Sequence, residues 1–295
     1  MDNRSEIRQF LATRRARITP QQAGLPAYGG NRRVAGLRRE EVALLAGVSV
    51  EYYARLERGN LGGVSESVLD ALARALHLDQ AEREHLYDLA RAASTTVRTP
   101  RRRAGQRIRP AVQRILDAMT DAPAFIRNGR LDLLGANRLG YALYSPVFAG
   151  PARPANLARF QFLDPRATEY FQNWDEAAHS TVALLRTEAG RDPYDRNLSD
   201  LVGELSTRSE EFRTRWAAHD VRLHHTGVKH FHHPVVGDLS LTFEALPLPA
   251  DPGLTLTAFS AEPGSASQDG LRLLASWAAT LDQAEHVDER DDVPG

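Results

Sequence analysis

The sequence predicts a two-domain protein: an all-α unit of five helices followed by an α+β unit. Three observations carry this. The 295 residues suit two domains of ~150 residues each. Periodicity in the first third is helical throughout, whereas three strand-like runs crowd between residues 228 and 261. Charge divides the same way. Residues 1–110 hold 20 Arg, no Lys and 12 acidic residues, a net +8, while the remainder holds 17 basic and 26 acidic residues, a net −9. A basic front half suits a polyanionic partner.

Arg4–Arg17 reads as the first helix, with Ile7, Phe10, Leu11 and Arg14 on one face. Thr19–Gly36, rich in Pro and Gly, reads as a long basic loop. A second helix, Arg39–Ala46, stops at Gly47, which is free to take positive φ. Ser49 caps a third helix running to about Arg58, ahead of Gly59. Ser65 caps a fourth that buries Leu69, Leu72, Ala73 and Leu76, and Asp79–Glu82 has the form of a capping box opening a fifth with Leu86, Leu89 and Ala90. Ser94–Pro110 is basic and almost free of apolar residues. The expected division is therefore 1–93 for the helical domain, 94–110 for a basic linker, 111–282 for the second domain and 283–295 for a disordered acidic tail.

The second domain opens with a helix at Ala111–Met119. Runs Ala124–Ile126 and Leu131–Leu134 flank Asn128-Gly129 as a hairpin. A short helix at Asn137–Tyr144 follows, then helical stretches at Ala167–Ala189, Asn197–Ser206 and Ser209–His219. Strands are expected at Val228–Val236, Leu239–Leu246 and Leu254–Ala261, and a helix at Gln268–Leu281 closes the domain.

Arg39–Arg58 fits a helix-turn-helix (HTH) motif position by position. Ala43 is small where two helices cross, Gly47 sits in the turn, and Val42, Leu45, Val48, Tyr53 and Leu56 supply a small core. The second helix of such a motif lies in the major groove of double-stranded DNA with its first residues at base edges. Those outward positions are Val50, Glu51, Tyr52 and Arg55. Arg55 matches the bidentate edge of guanine; Glu51 either accepts from cytosine or orients Arg55 one turn on; Val50 suits a thymine methyl. Arg38, Arg39, Ser49, Arg58 and Asn60 are the expected phosphate contacts, with Arg14, Arg15, Arg32 and Arg33 as further electrostatic candidates.

Other classes find little support. There is no Cys, hence no disulfide and no thiolate chemistry. No apolar run is long enough for a membrane span, and the first residues have no signal-peptide character, so a cytoplasmic location is expected. Six of ten His lie in 219–233, and His230 and His232 have the spacing of two ligands on one strand face, yet no third and fourth ligand accompany them; neither a metal nor a cofactor is expected. Phosphate-loop, dinucleotide and nucleophile-elbow motifs are absent. A hydrolase set drawn from Ser206, His219 and Asp220 rests on sequence adjacency alone.

Gly36–Gly59, GLRREEVALLAGVSVEYYARLERG, resembles the DNA-binding domain of MmyB-like regulators in the XRE, lambda-repressor-like class. The resemblance continues through Asp164-Pro165, Leu201–Phe212, Trp216–Arg222, Lys229–Gly237 and Ala261–Ser265. It implies a PAS-like α+β second domain that senses a small molecule, in characterised members a fatty acid. Two positions depart from the family pattern: Gly135-Ala136 precede Asn137 where a Trp is common, and Gln161 stands where an apolar residue is usual. A pocket for an amphiphilic acid needs apolar walls and one cationic end. Strand alternation puts Lys229, Phe231 and His233 on one face and His230 and His232 on the other. With Arg222 these form the expected polar end; Trp174, Trp216, Tyr141, Tyr144, Phe125 and Phe243 are wall candidates, and Asn137 joins the expected ligand set. Palindromic operators imply a homodimer. The rival readings are a second domain that docks a protein and holds no small molecule, and an enzyme fused to a DNA-binding domain.

Overall fold

The computed structural model describes residues 3–25, 34–94, 107–151, 153–218 and 226–291. In chain order the first five helices are α1 (Asn3–Arg17), α2 (Arg39–Ala46), α3 (Val50–Glu57), α4 (Glu66–Ala75) and α5 (Gln80–Ser94). Then come α6 (Pro110–Asp117), strands β1 (Ala124–Asn128) and β2 (Leu133–Ala136), and four short helices: α7 (Arg138–Leu143), α8 (Ser145–Phe148), α9 (Leu157–Leu163) and α10 (Ala167–Tyr170). Helices α11 (Trp174–Arg191), α12 (Arg196–Arg208) and α13 (Glu210–Ala217) precede strands β3 (Thr226–His233), β4 (Gly237–Pro247) and β5 (Leu254–Ser260), and α14 (Ala266–Asp291) ends the fold.

The chain divides into two compact units, Met1–Arg102 with Val182–Leu223, and Arg103–Thr181 with His224–Gly295. In the first, the apolar faces of α1 to α5 meet in one core. Ile7, Phe10, Leu11, Val42, Tyr53, Leu56, Leu72, Leu86 and Leu89 are fully buried there. Helices this short gain their stability from that shared face rather than from propensity. Gly47 caps α2 at φ 65°, ψ 34°, and the Val48 N–H returns to the Ala43 carbonyl at 3.0 Å, which turns the chain sharply into α3. Ser49 then accepts from the Tyr52 N–H at 3.1 Å. At α5, Asp79 accepts from the Glu82 N–H and Glu82 from the Asp79 N–H, the reciprocal box its sequence predicts. Ser65 occupies its expected capping position but makes no capping bond; its hydroxyl meets Ser67 instead.

The same unit takes in the C-terminal part of α11 with α12 and α13, a division the sequence does not predict. The tie is buried charge. Arg186 of α11, fully buried, pairs with Glu6 of α1 and donates to the Trp216 carbonyl, and its guanidinium lies 4.0 Å from the centre of the Trp216 ring. Gly190 permits close approach: a Cβ there would come within 2.5 Å of the His85 ring.

The second unit is built on one antiparallel sheet of order β2-β1-β5-β4-β3, the α+β architecture expected of the PAS-like resemblance. One face carries Phe125, Phe231, Leu241, Phe243 and Phe259 into a core completed by Leu143, Tyr144, Tyr170, Phe171 and Leu274. The other carries Ala124, Ile126, Leu254 and Leu256 under Val112 and Leu116 of α6.

Three expectations are corrected. The single helix expected over Ala167–Ala189 is two, because Phe171 leaves the helical path to bridge Phe231 and the Gln172 N–H bonds the His230 carbonyl. At the hairpin the positive φ falls on Leu131 (66°) rather than Gly129, since Asn128 Oδ1 accepts from both the Arg130 and Asp132 N–H groups. Helix α14 runs to Asp291, into the tail expected to be disordered, where no Gly or Pro interrupts the helix formers.

Candidate DNA-contacting helix and ligand cavity

The outward side of α3 is open. Val50, Glu51, Arg55, Arg58 and Asn60 are exposed and Tyr52 is half-buried, while Tyr53 and Leu56 of the same helix point into the core. The Arg55 guanidinium stacks over the Tyr52 ring at 4.8 Å. No ion pair joins Glu51 to Arg55, so the Tyr52 ring, one turn back, is what orients Arg55. This cation–π contact leaves its N–H donors free to point outward.

Glu57, at the end of α3, is buried and gathers two arginines. Arg15 donates to it at 3.0 and 2.8 Å, and Arg39 binds its other oxygen. The Glu57 carboxylate raises the pKa of Arg39 above its already high ordinary value. Arg39 stays 57% exposed, so it is fixed by Glu57 yet open to a phosphate at the start of α2. Arg38 is exposed as well, and its backbone N–H is held by Glu41 at 2.6 Å.

Two of the four further electrostatic candidates do not face outward. Arg14 lies on the apolar face of α1, is 2% exposed, and is neutralised by Glu82 at 3.0 Å. Arg15 is tied to Glu57 and the Leu37 carbonyl. Helical spacing places Arg14 inside, where Glu82 of α5 meets it, while Arg15 is partly buried and met by Glu57 of α3. Arg32 and Arg33 lie outside the described residues.

In the second unit, β3 alternates at its C-terminal end, where Phe231 and His233 are buried and His232 is exposed, but Lys229 and His230 are both half-buried, so the expected alternation does not separate these two. Lys229 lines a cavity of about 100 Å³ with Phe171, Asn173, Glu176, Ala177, Ser180, Thr226, His230 and Phe243. Residues 173, 176, 177 and 180 recur at helical spacing, so one face of α11 and the residue before it make one wall. The Lys229 ammonium lies between two aromatic rings, 5.8 Å from the centre of Phe171 and 5.5 Å from that of Phe243. Among the described residues it has no ion pair and no hydrogen bond. Burial, seconded by the charge of Arg127, lowers its pKa to about 8; Glu176 opposes this more weakly. Arg127 was not foreseen as part of the site. Its signal is a charged residue inside the otherwise apolar strand run AFI.

The other expected ligand residues have different surroundings. Phe231 is fully buried among Tyr144, Tyr170, Phe171 and Phe259. His233 accepts from the Val235 N–H at Nδ1 and donates from Nε2 to the Ala142 carbonyl at 3.0 Å, which fixes a neutral ring; burial lowers its pKa. Asn137 caps α7 and spends its amide on Met119, Ala122, Ala124 and Gly140. Tyr141 is 47% exposed and packs on Phe148. Trp174 donates to the Gln161 carbonyl at 3.2 Å, and the Gln161 amide donates to the Trp174 carbonyl. That reciprocal pair accounts for a polar residue at 161. Gly135, the other departure, receives Ile108, whose Cδ1 would lie 2.7 Å from a Cβ there. Trp216 belongs to the first unit, stacked on Phe212. Arg222 lies outside the described residues.

Residues 108–274 match the family model of the MmyB-like transcription regulator ligand binding domain. The chain belongs to this family. Residues 6–86 match a helix-turn-helix domain, so this MmyB-like protein is a DNA-binding transcription regulator with a ligand-binding domain. No curated protein matches the chain. Among the described residues, no helix of the regulator is long and apolar enough to cross a membrane. Nor do three or more His, Asp or Glu gather there as a metal site, and His232 is taken up by Asp238 at 2.6 Å.

Proposed function

We propose that this regulator binds a palindromic operator as a homodimer through the outward face of α3, and that its second domain senses a small amphiphilic anion whose acid group meets Lys229. Val50, Glu51, Tyr52 and Arg55 face the bases; Arg38, Arg39, Ser49, Arg58 and Asn60 face the phosphates. Two such helices on a palindrome sit about 34 Å apart. The observation that carries the ligand reading is a half-buried ammonium in an aromatic-lined cavity that makes no ion pair among the described residues, although Glu176 lines the same cavity and weakly offsets the effect of burial. A buried charge without a partner is costly, and an anionic ligand removes that cost.

Cavity size narrows the ligand class. About 100 Å³ falls below the ~300–1,000 Å³ typical of drug-sized ligands. It accommodates a carboxylate and a few carbons. A long-chain fatty acid requires the rings around Phe231 to move apart, and that movement is a natural source of the difference in affinity between two states on which a ligand switch depends. The filled core also gives substance to the second reading, a domain that docks a protein and holds no small molecule.

Native mass spectrometry of freshly purified protein, with operator binding measured with and without short and long carboxylic acids, tests the proposal. A co-purifying or added acid that changes operator affinity in the wild type and not in Lys229→Met supports it. Unchanged affinity with every acid, and no bound small molecule, leaves the protein-docking reading.

A further inference from the structure

We propose that Lys229 is also a covalent capture site, whose Nζ condenses with a short aliphatic aldehyde in the cavity to form an imine. This deepens the ligand-binding reading above and rests on it. The first ground is the residue itself. Lys229 is the sole Lys among 37 basic residues. A pull toward Arg acts at every basic position, and anion binding alone is served as well or better by the bidentate Arg guanidinium. What Arg cannot supply is a neutral amine.

The second ground is placement. The Nζ lies between the Phe171 and Phe243 rings, lines a cavity, and has no ion pair or hydrogen bond among the described residues. Desolvation and a nearby cation are the two devices that free a lysine amine for nucleophilic attack, and both act here, the cation being Arg127. With its pKa lowered to about 8, the fraction of neutral amine at pH 7 is on the order of 10²-fold above that of an ordinary Lys.

The chemistry balances without an oxidant. The Nζ lone pair adds to the carbonyl carbon, and the carbonyl oxygen takes a proton to give a carbinolamine. That hydroxyl leaves as water as the C=N bond forms. Amine and aldehyde become imine and water. The protonated imine keeps its positive charge between the same two rings, so the cation–π contacts survive. Glu176, Ser180, Thr226 and His230 line the cavity and are groups there able to pass the protons. The volume of about 100 Å³ suits a chain of a few carbons.

Full-length protein treated with butanal and cyanoborohydride tests this. The reductant fixes any imine as a secondary amine, read by intact mass and by peptide mapping. Only two amines exist to be modified, Lys229 and the N-terminus, so the second is an internal control. Lys229 in the native protein is expected to be trapped on the order of 10²-fold faster at neutral pH than in the urea-unfolded chain. Lys229→Arg is expected to lose the adduct while the N-terminus is still modified. Trapping no faster in the native than in the unfolded chain overturns the proposal. If butyrate still stabilises the wild type in that case, the anion-sensing reading stands alone; if neither compound is bound, both readings fall.

Discussion

At the scale of single residues, several buried charges are paired, whereas half-buried Lys229 is not paired among the described residues. Arg14, Arg186 and Glu57 are buried with partners; Lys229 lies between two aromatic rings with no ion pair or hydrogen bond among the described residues. Its ammonium is therefore maintained at a cost to stability, which a binding site tolerates and a purely structural position does not. Lys229→Met fills the same space with an apolar chain. It is expected to stabilise the ligand-free protein by about 1–2 kcal/mol in urea titrations while removing the response to acids. A loss of stability instead would show that the ammonium has a partner. Histidine gives a second prediction. Burial lowers the pKa of both His85 and His233, so the unfolded chain binds more protons than the native one as pH falls through the ordinary histidine value of 6.5. Stability is then fully present above that value and declines below it. His85 packs edge-on to Phe10 and lies 3.8 Å from Glu6. His85→Phe is expected to flatten the decline between about pH 7.5 and 5.5, leaving the part that belongs to His233. An unchanged slope would place the acid sensitivity elsewhere. Strand period made Lys229, Phe231 and His233 legible as one face. Helical spacing likewise put Arg14 on the apolar face of α1, but not its partner, because Glu82 arrives from another helix.

At the scale of elements, the helix-turn-helix was the most legible part, because local signals agree there. Gly47 adopts the left-handed conformation that its position after Ala46 suggests, and Ser49 caps α3 as its residue type allows. Gly47→Ala has open space for its methyl but keeps φ at 65°. It is expected to cost about 1 kcal/mol and to weaken operator binding no further than that loss of stability explains. Arg55 and Arg58 separate by salt dependence. Replacing a phosphate contact by Ala lowers the salt slope by about one, with little change in sequence preference, whereas replacing a base contact relaxes preference at one position. Arg58→Ala is expected to behave in the first way and Arg55→Ala in the second, and fluorescence anisotropy on operator and mutated operators reads both. Elements defined by distant partners were less legible. The break between α10 and α11 is set by the Phe171 bridge to β3, across a stretch whose helical period continues. The short α8 and α9 carry too few residues for periodicity to show.

At the scale of the molecule, sequence order and compact unit part company. The match to the ligand-binding family spans residues 108–274, yet Val182–Leu223 within it packs with the helix-turn-helix helices. No composition shift marks residue 182, because the boundary falls inside one continuous helix. The consequence is that residues 1–93 alone leave a charged surface exposed. Glu6, buried beside Arg186 and His85, loses the Arg186 cation, and His85 loses the Gly190 backbone packed against it. Breaking a buried ion pair from one side typically costs 3–5 kcal/mol, because the remaining charge stays desolvated, whereas replacing both partners by apolar residues is often nearly neutral. A double-mutant cycle follows from this asymmetry. Arg186→Leu is expected to destabilise the full-length regulator by about 3–5 kcal/mol, part of it from lost stacking on Trp216. Adding Glu6→Leu is expected to restore a large share, since no buried carboxylate remains. Calorimetric unfolding of the four proteins measures the coupling. Additive losses would mean that Glu6 finds water or another cation once Arg186 is gone, and that α11 is held to α1 by apolar packing alone. Strong coupling would make this pair the electrostatic tie between the helix-turn-helix frame and the segment of the ligand-binding family that folds with it.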